Sequence, residues 1–497
     1  MSDRRLTYWF GPLERRGLLG PVRAGQAAVI AAGGVAGIAV LDASPSALGV
    51  LAAGALLAVA LAATCVPVGS RTAEEWFPLA LAFGWRRVGR RRFASAAATA
   101  GTRVRRAGPR RLRGRPPTPV APPQLRDIGL TAADYHGRPL GILSERSGRR
   151  LTGVLACRVL GFSLLDQADQ ERRLARWGLV LSGAGGTAIR RVQWIERTAP
   201  AQGDELVRWV HSEHDPAVPL RGTPMIDSYL ELISSTARVA QEHEVLLAIQ
   251  VDAQRVRDRG ADAAARALVE QTERVAQGLE AAEVTVLGAL SPGQLARTLR
   301  TAFDPYARAE LTALDACEPD RDGLDDVNAW PLGARESWEH YQSDGALHAT
   351  YWIGAWPRIE VSPMFMDSLL GHSGVVRTVS VTFEPLAGDR STREVEAAVT
   401  RDRADRELRA RFGQSETARQ RQAADATRRR EAELAAGHGE VRLSGFVTVT
   451  GRDPDDLRRA CGEVLEQAAR ARLELHRLYG QQADAFTFTL PLCRGLR

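Results

Sequence analysis

Residues 24–41, AGQAAVIAAGGVAGIAVL, and residues 46–68, SALGVLAAGALLAVALAATCVPV, decide the architecture of this chain. The first stretch carries one amide and no charge, and the second carries no charge at all. About 20 predominantly apolar residues cross the hydrocarbon core of a bilayer as a helix, so both stretches qualify as transmembrane helices. Only DASP, Asp42 to Pro45, separates them, which makes the pair a tight helical hairpin. A cleaved signal peptide is the competing reading of the first stretch. The longer apolar run that follows at once argues against it, because a secreted protein has no need of a second.

Arginine counting orients the hairpin. Arg4, Arg5, Arg15, Arg16 and Arg23 precede it, Arg71, Arg86, Arg87, Arg90, Arg91 and Arg92 follow it, and DASP has none. The positive-inside rule then places both termini in the cytoplasm, with a large cytosolic domain attached to the inner, or plasma, membrane. The helices are rich in alanine and glycine, and Gly33 with Gly37 forms a G-x-x-x-G that suits packing against other membrane helices.

From Arg71 to Arg115 arginine is dense, with Trp76, Phe77, Phe83, Trp85 and Phe93 interleaved. A nucleic-acid surface is one reading. An interfacial segment is the favoured one, because the run begins beside a membrane helix; Arg86, Arg87, Arg90, Arg91 and Arg92 are then its anionic-lipid contacts. GRPPTPVAPP, Gly114 to Pro123, follows as a stiff polyproline spacer.

The remaining composition is that of globular protein: of 497 residues, 44% are hydrophobic and 25% charged, with a net charge of +7. All 66 basic side chains are arginine. Without lysine no P-loop and no Schiff-base chemistry can be written, and five scattered cysteines suggest reduced thiols rather than a disulfide framework.

Alternating patterns then predict a cytosolic α+β body of two mixed α/β units, 124–305 and 337–497, joined by a polar connection at 306–336. The first unit takes strands at 140–146, 150–165, 188–198, 245–251 and 284–290. Its helices fall at 168–181, 224–243 and 261–281, with one more opened by Ser291-Pro292. The second takes a hairpin around Asp344-Gly345, strands at 375–386 and 441–451, a helix at 453–478, and a long charged helical arm over 391–436 with a bend at Gly413. AFTFTLPLCRGLR (485–497) reads as a half-buried strand with Phe486, Phe488 and Leu490 on one face. With the segments already described, the domain boundaries are 1–23, 24–68, 69–123, 124–305, 306–336 and 337–497.

Two motifs invite chemistry. SGAGGTA (182–188) suggests a dinucleotide loop, but it follows a helix pattern and precedes a strand, so it reads as a turn. HSEHD (211–215) suggests metal ligands, yet no cysteine or third histidine lies near. No catalytic residue, cofactor site or metal site is expected.

The phrases YWFGPLERRGLLGPVRAGQ (8–26), FEPLAGDRSTREVEAAVTRDRADRELRARFGQ (383–414), ELAAGHGEVRLSGFVTVTG (433–451) and LHRLYGQQADAFTFTLPLCRGL (475–496) resemble an integral-membrane family of actinobacterial conjugation-type gene clusters. That family is similar to a PrgI-type two-helix membrane subunit fused to the non-motor N-terminal region of the conjugative type IV secretion ATPase. The Q-x-x-A-F and L-P-L elements that stand before the motor in such ATPases are matched by Gln482, Ala485, Phe486, Leu490, Pro491 and Leu492. The resemblance implies a non-catalytic, oligomeric membrane scaffold that meets other secretion subunits and docks a separately encoded motor ATPase. Phe486, Phe488, Leu490, Pro491, Leu492 and Arg494 would be its docking residues, and the tail Cys493 to Arg497 would be dispensable for folding. A membrane-tethered nucleic-acid-binding protein using the 71–115 belt is the other reading.

Overall fold

The computed structural model describes residues 24–68, 71–89, 93–95, 121–146, 148–158, 161–200, 224–226, 228–229, 231–232, 241–256, 261–308, 329–371, 374–411, 418–435 and 439–496. Two compact units divide the chain. Gly11–Arg91 with Ala397–Thr427 forms the smaller, and Arg92–Glu396 with Arg428–Arg497 makes up most of the larger.

In the smaller unit, α1 (Ala24–Ala43) and α2 (Ala47–Cys65) are both long and apolar enough to cross a bilayer. Ser46 caps α2, its Oγ accepting from the Gly49 N–H at 3.2 Å. The two helices meet on small residues: a Cβ at Gly33 would lie 2.6 Å from the Ala60 Cβ, and one at Gly37 would lie 3.6 Å from that of Ala53. The G-x-x-x-G is therefore used inside the hairpin, where its lack of side chains lets the backbones approach. Val35, Ile38, Leu48, Leu51 and Val59 stay exposed on the outer faces. A short antiparallel ladder, β1 (Pro67–Val68) on β2 (Arg71–Thr72), leads into α3 (Ala73–Gly89). Glu74 and Glu75 in the first turn of α3, and Arg86 and Arg87 in its last, complement the helix dipole.

The larger unit is built on one sheet. Its strands are β3 (Phe93–Ala94), β4 (Ile128–Tyr135), β5 (Arg138–Glu145), β6 (Arg150–Arg158), β7 (Ile189–Pro200), β8 (Gln241–Asp252), β9 (Thr285–Ala289), β10 (Gly333–Glu336), β11 (Tyr341–Ser343), β12 (Ala346–Ala355), β13 (Val376–Pro385), β14 (Val441–Gly451) and β15 (Glu474–Arg477). The spatial order is β3-β10-β11-β12-β14-β13-β7-β8-β6-β5-β4, with β15 beside β12 and β9 beside β6. Every pairing is antiparallel.

The α+β body stands, but the division into two mixed α/β units does not. β13 pairs with β7 from Arg377↔Thr198 to Phe383↔Val192, so a single ladder runs through the middle of both proposed units. Strand periodicity marks where a strand lies and not which strand it joins.

One face of the sheet carries α4 (Gln167–Gly183), α5 (Ala261–Ala281) and α9 (Pro454–Arg470). Leu247, Ile249 and Val192 of the sheet pack with Leu181 of α4 and Val275 and Leu279 of α5, and Val379, Val447 and Val449 pack with Leu457 and Val464 of α9. The other face carries α6 (Pro292–Phe303), opened by a full Ser291/Gln294 capping box, and the segment 482–496. The charged stretch becomes α7 (Gly388–Arg411) and α8 (Ala418–Ala435); Gly413 lies outside the described residues.

Three elements differ from expectation. The helix read over 224–243 has already given way to β8 at Gln241. The helix read over 453–478 stops at Arg470, Arg472 turns the chain with a φ of 58°, and Glu474–Arg477 becomes an edge strand on β12. AFTFTL is not a strand: α10 (Gln482–Phe486) runs into a 3-10 turn over Thr487–Thr489. The threonines account for this, since Thr487 Oγ1 donates to Asp484 O at 2.7 Å and Thr489 Oγ1 to Phe486 O at 3.0 Å, satisfying the turn locally.

Candidate functional site

Side chains two residues apart on a strand share a face. On the face opposite α4 and α5, β7 presents Arg191 and Gln193, β13 presents Ser380, Thr382 and Glu384, and β8 presents Gln250. These polar groups lie in the interior, with Gln193, Ser380 and Thr382 at 0% exposure. Burying them unpaired would cost several kcal/mol in sum. Their partners are the backbone groups of residues 488–496, which lie across the three strands.

Gln193 is the centre of the arrangement. Its Nε2, with two hydrogens to share, lies within hydrogen-bond distance of Phe488 O (3.0 Å), Leu490 O (2.9 Å) and Ser380 Oγ (2.7 Å), while its Oε1 accepts from the Cys493 N–H at 2.7 Å. Gln250 Nε2 donates to Leu492 O at 3.1 Å, and Thr382 Oγ1 donates to Arg494 O at 3.2 Å. Arg191 reaches Cys493 O at 3.1 Å and Leu496 O at 3.0 Å while Glu384 holds its guanidinium through two 3.1 Å bonds. A charge-assisted pair with its remaining donors satisfied is the condition under which a buried ion pair is tolerated.

At the start of the segment Gln482 acts as a surrogate strand. Its Oε1 accepts from the Thr350 N–H at 2.8 Å, and its Nε2 donates to Thr350 O at 3.2 Å and Leu478 O at 2.9 Å. Phe486 then enters an aromatic cluster, with ring centroids 5.1 Å from Phe303, 5.3 Å from Tyr341 and 4.6 Å from His348. Phe488 lies 4.8 Å from Phe446, and Leu490, Pro491 and Leu492 are buried.

The expected docking set lies largely in the interior of the larger unit. Five of its six members lie in or against the core, and Arg494 is held within the chain: its Nε and Nη2 donate to Glu145 Oε1 at 2.9 and 2.6 Å, and its Nη1 to Gln124 O at 2.9 Å. The tail from Cys493 is no loose end, because Cys493 is buried with its N–H on Gln193 and burial pushes its thiol pKa upward. The bonding capacity of Arg191, Gln193 and Gln250 is the feature sequence reasoning missed; polar residues punctuating otherwise apolar strands were its only signal.

His348 is another buried titratable group of this face. Its Nε2 lies 3.0 Å from Phe303 O and 2.8 Å from Ser343 Oγ, and its Nδ1 lies 2.9 Å from Thr450 Oγ1. Burial lowers its pKa to about 4, so it is neutral near pH 7. On the helix-covered face, Glu196 Oε1 receives both His243 Nδ1 at 2.7 Å and Thr198 Oγ1 at 3.0 Å. Both converge on one carboxylate oxygen, which is not a nucleophile–base–orienter relay.

Of the motifs, SGAGGTA closes α4 at Gly183 and turns through Gly186, at a φ of 75°, into β7; it presents a helix C-terminus, where a pyrophosphate would be repelled. HSEHD lies outside the described residues. Among the described residues no group of three or more His, Cys, Asp or Glu could hold a metal ion. Cys65 is exposed and Cys157, Cys461 and Cys493 are buried, all as free thiols. Arg86 and Arg87 close α3; Arg90, Arg91 and Arg92 lie outside the described residues.

Residues 221–353 match the model of a family described as "Putative type VII ESX secretion system translocon, EccE". The match covers 133 of the 497 residues and takes in β8, α5, β9, α6, β10, β11 and most of β12. It is a likeness to a secretion-system family of type VII, where the sequence phrases resembled type IV. No curated protein matches the chain.

Proposed function

We propose that the chain is a membrane-anchored, non-catalytic subunit of a type VII-like secretion translocon. The observation that carries this is the EccE likeness over 221–353, found in a chain whose first two described helices are both of bilayer length. The type IV resemblance rests on short phrases that encode no chemistry, so the type VII reading is preferred. In it the α1–α2 hairpin joins the membrane complex, and arginine placement keeps the body on the cytoplasmic side.

A scaffold role fits the way the interior uses its polar side chains. Arg191, Gln193, Gln250 and Thr382 are taken up in holding the protein's own backbone. A motor ATPase or another secretion subunit would meet this body on surfaces other than 486–494. The test is extraction of the tagged chain from its native membranes in mild detergent. It should migrate in a particle several times its own mass together with other multi-pass membrane proteins of the same gene cluster. Recovery as a lone chain, with crosslinked and uncrosslinked samples alike, would remove the support for a translocon subunit.

A further inference from the structure

α3 presents an exposed apolar stripe that none of the described residues covers: Phe77, Leu81 and Trp85, four residues apart and 70%, 61% and 80% exposed. Large aromatic residues in such a row on a folded surface mark an interaction site. The other face of the same helix, with Trp76, Leu79 and Phe83, is partly buried. α3 thus has apolar side chains all round, one side partly buried and the other exposed among the described residues.

Its position says what covers the exposed side. α3 follows α2 after only the short β1–β2 ladder, and Glu74 in its first turn lies against Gly25 in the first described turns of α1. Gln26 Nε2 donates to Thr64 O at 2.9 Å at the same end of the hairpin, pairing polar groups at the ends of the two apolar helices. Arg71 stacks over Trp76 at 5.6 Å there, a cation paired with an aromatic ring of the kind that suits an interface. The apolar run Trp76 to Trp85 is bounded by Glu74 and Glu75 on one side and Arg86 and Arg87 on the other. At about 15 Å it is half the length needed to cross.

We infer that α3 is an in-plane helix seated in the lipid–water interface of the bilayer that holds the hairpin, with Phe77, Leu81 and Trp85 inserted below the headgroups and Arg86 and Arg87 among anionic ones. Its occupant is the bilayer itself, and its consequence is a fixed depth and tilt for the hairpin at the point where the body is attached. The inference rests on the membrane reading of α1 and α2.

The test uses the full chain with Cys65→Ser and Cys317→Ser, in lipid nanodiscs of phosphatidylcholine and phosphatidylglycerol; Cys157, Cys461 and Cys493 are buried. Nitroxides at Leu81→Cys, at Arg87→Cys outside the stripe, and at Ile38→Cys on α1 report collision with oxygen, which partitions into lipid, against a water-soluble nickel chelate. The expected result is several-fold oxygen preference at positions 38 and 81 and nickel preference at 87. Nickel preference at 81 with oxygen preference at 38 overturns the interfacial seat while leaving the hairpin in the membrane. Shielding of 81 from both reagents overturns it in favour of a docked protein. Nickel preference at 38 removes the membrane reading and the inference together.

Discussion

Replacing Gln193 with leucine, a residue of similar volume, should destabilise the larger unit by about 3–5 kcal/mol, above the range of most single substitutions. Gln193 is fully buried and serves Phe488 O, Leu490 O, Ser380 Oγ and the Cys493 N–H. Each buried group left without a partner costs about 1–3 kcal/mol. Ser380 Oγ also donates to Phe488 O at 3.2 Å, so that carbonyl keeps one bond and the total falls short of four full penalties. Gln250→Leu should cost less, because Gln250 serves a single carbonyl of the segment, Leu492 O. Denaturant midpoints followed by near-UV circular dichroism read both. A Gln193→Leu midpoint equal to the parent's would show that the strands do not need the segment 488–496 to bury their polar face.

Acid should destabilise the same unit through His348. The unfolded imidazole takes up its proton near 6.5, whereas the buried one stays neutral until about pH 4. Between those values the unfolded state holds more protons than the native state, so stability falls as pH falls. The contribution is fully present above pH 6.5 and is lost by pH 4, at about 1.4 kcal/mol per unit or about 3 kcal/mol in all. His348→Gln, which cannot titrate, should lose less stability than the parent over that interval, and carboxylates common to both chains cancel in the comparison. Parallel pH dependences for the two would mean that His348 is protonated without penalty in the folded state.

How far the sequence reveals this structure depends on the range of the interaction involved. The apolar helices, β5, β13 and β14, the Ser291 cap and the Asp344-Gly345 turn were legible because periodicity, caps and turns are local signals. The joining of β7 to β13 was not, since nothing within either strand specifies its neighbour. LELHR was absorbed into the preceding helix because its first residues continue a helical pattern, and only Arg472 in a left-handed conformation breaks it.

The segment 485–497 shows the same limit at the candidate site. Its alternation of phenylalanine and threonine fits a strand, but the threonines close their own turns and the sheet face beneath receives the backbone through side chains instead. Arg191, Gln193, Ser380 and Thr382 come from strands nearly 190 residues apart in sequence, as the 187-residue separation of Gln193 and Ser380 shows. Their convergence on one backbone is a tertiary fact, invisible to a one-dimensional reading. By contrast, the aromatic residues of α3 were visible as an interleaved pattern; the structure adds which of them remain uncovered.

The central claim is that the hairpin spans the membrane and holds the body on the cytoplasmic side, and thiol labelling of intact cells tests it most directly. In a chain carrying Cys65→Ser and Cys317→Ser, Ser44→Cys reports the α1–α2 connection and Arg458→Cys an exposed position on α9. A membrane-impermeant maleimide should label position 44 in intact cells and position 458 only after permeabilisation. Labelling of position 458 in intact cells, or protection of position 44 until the membrane is opened, would contradict that topology.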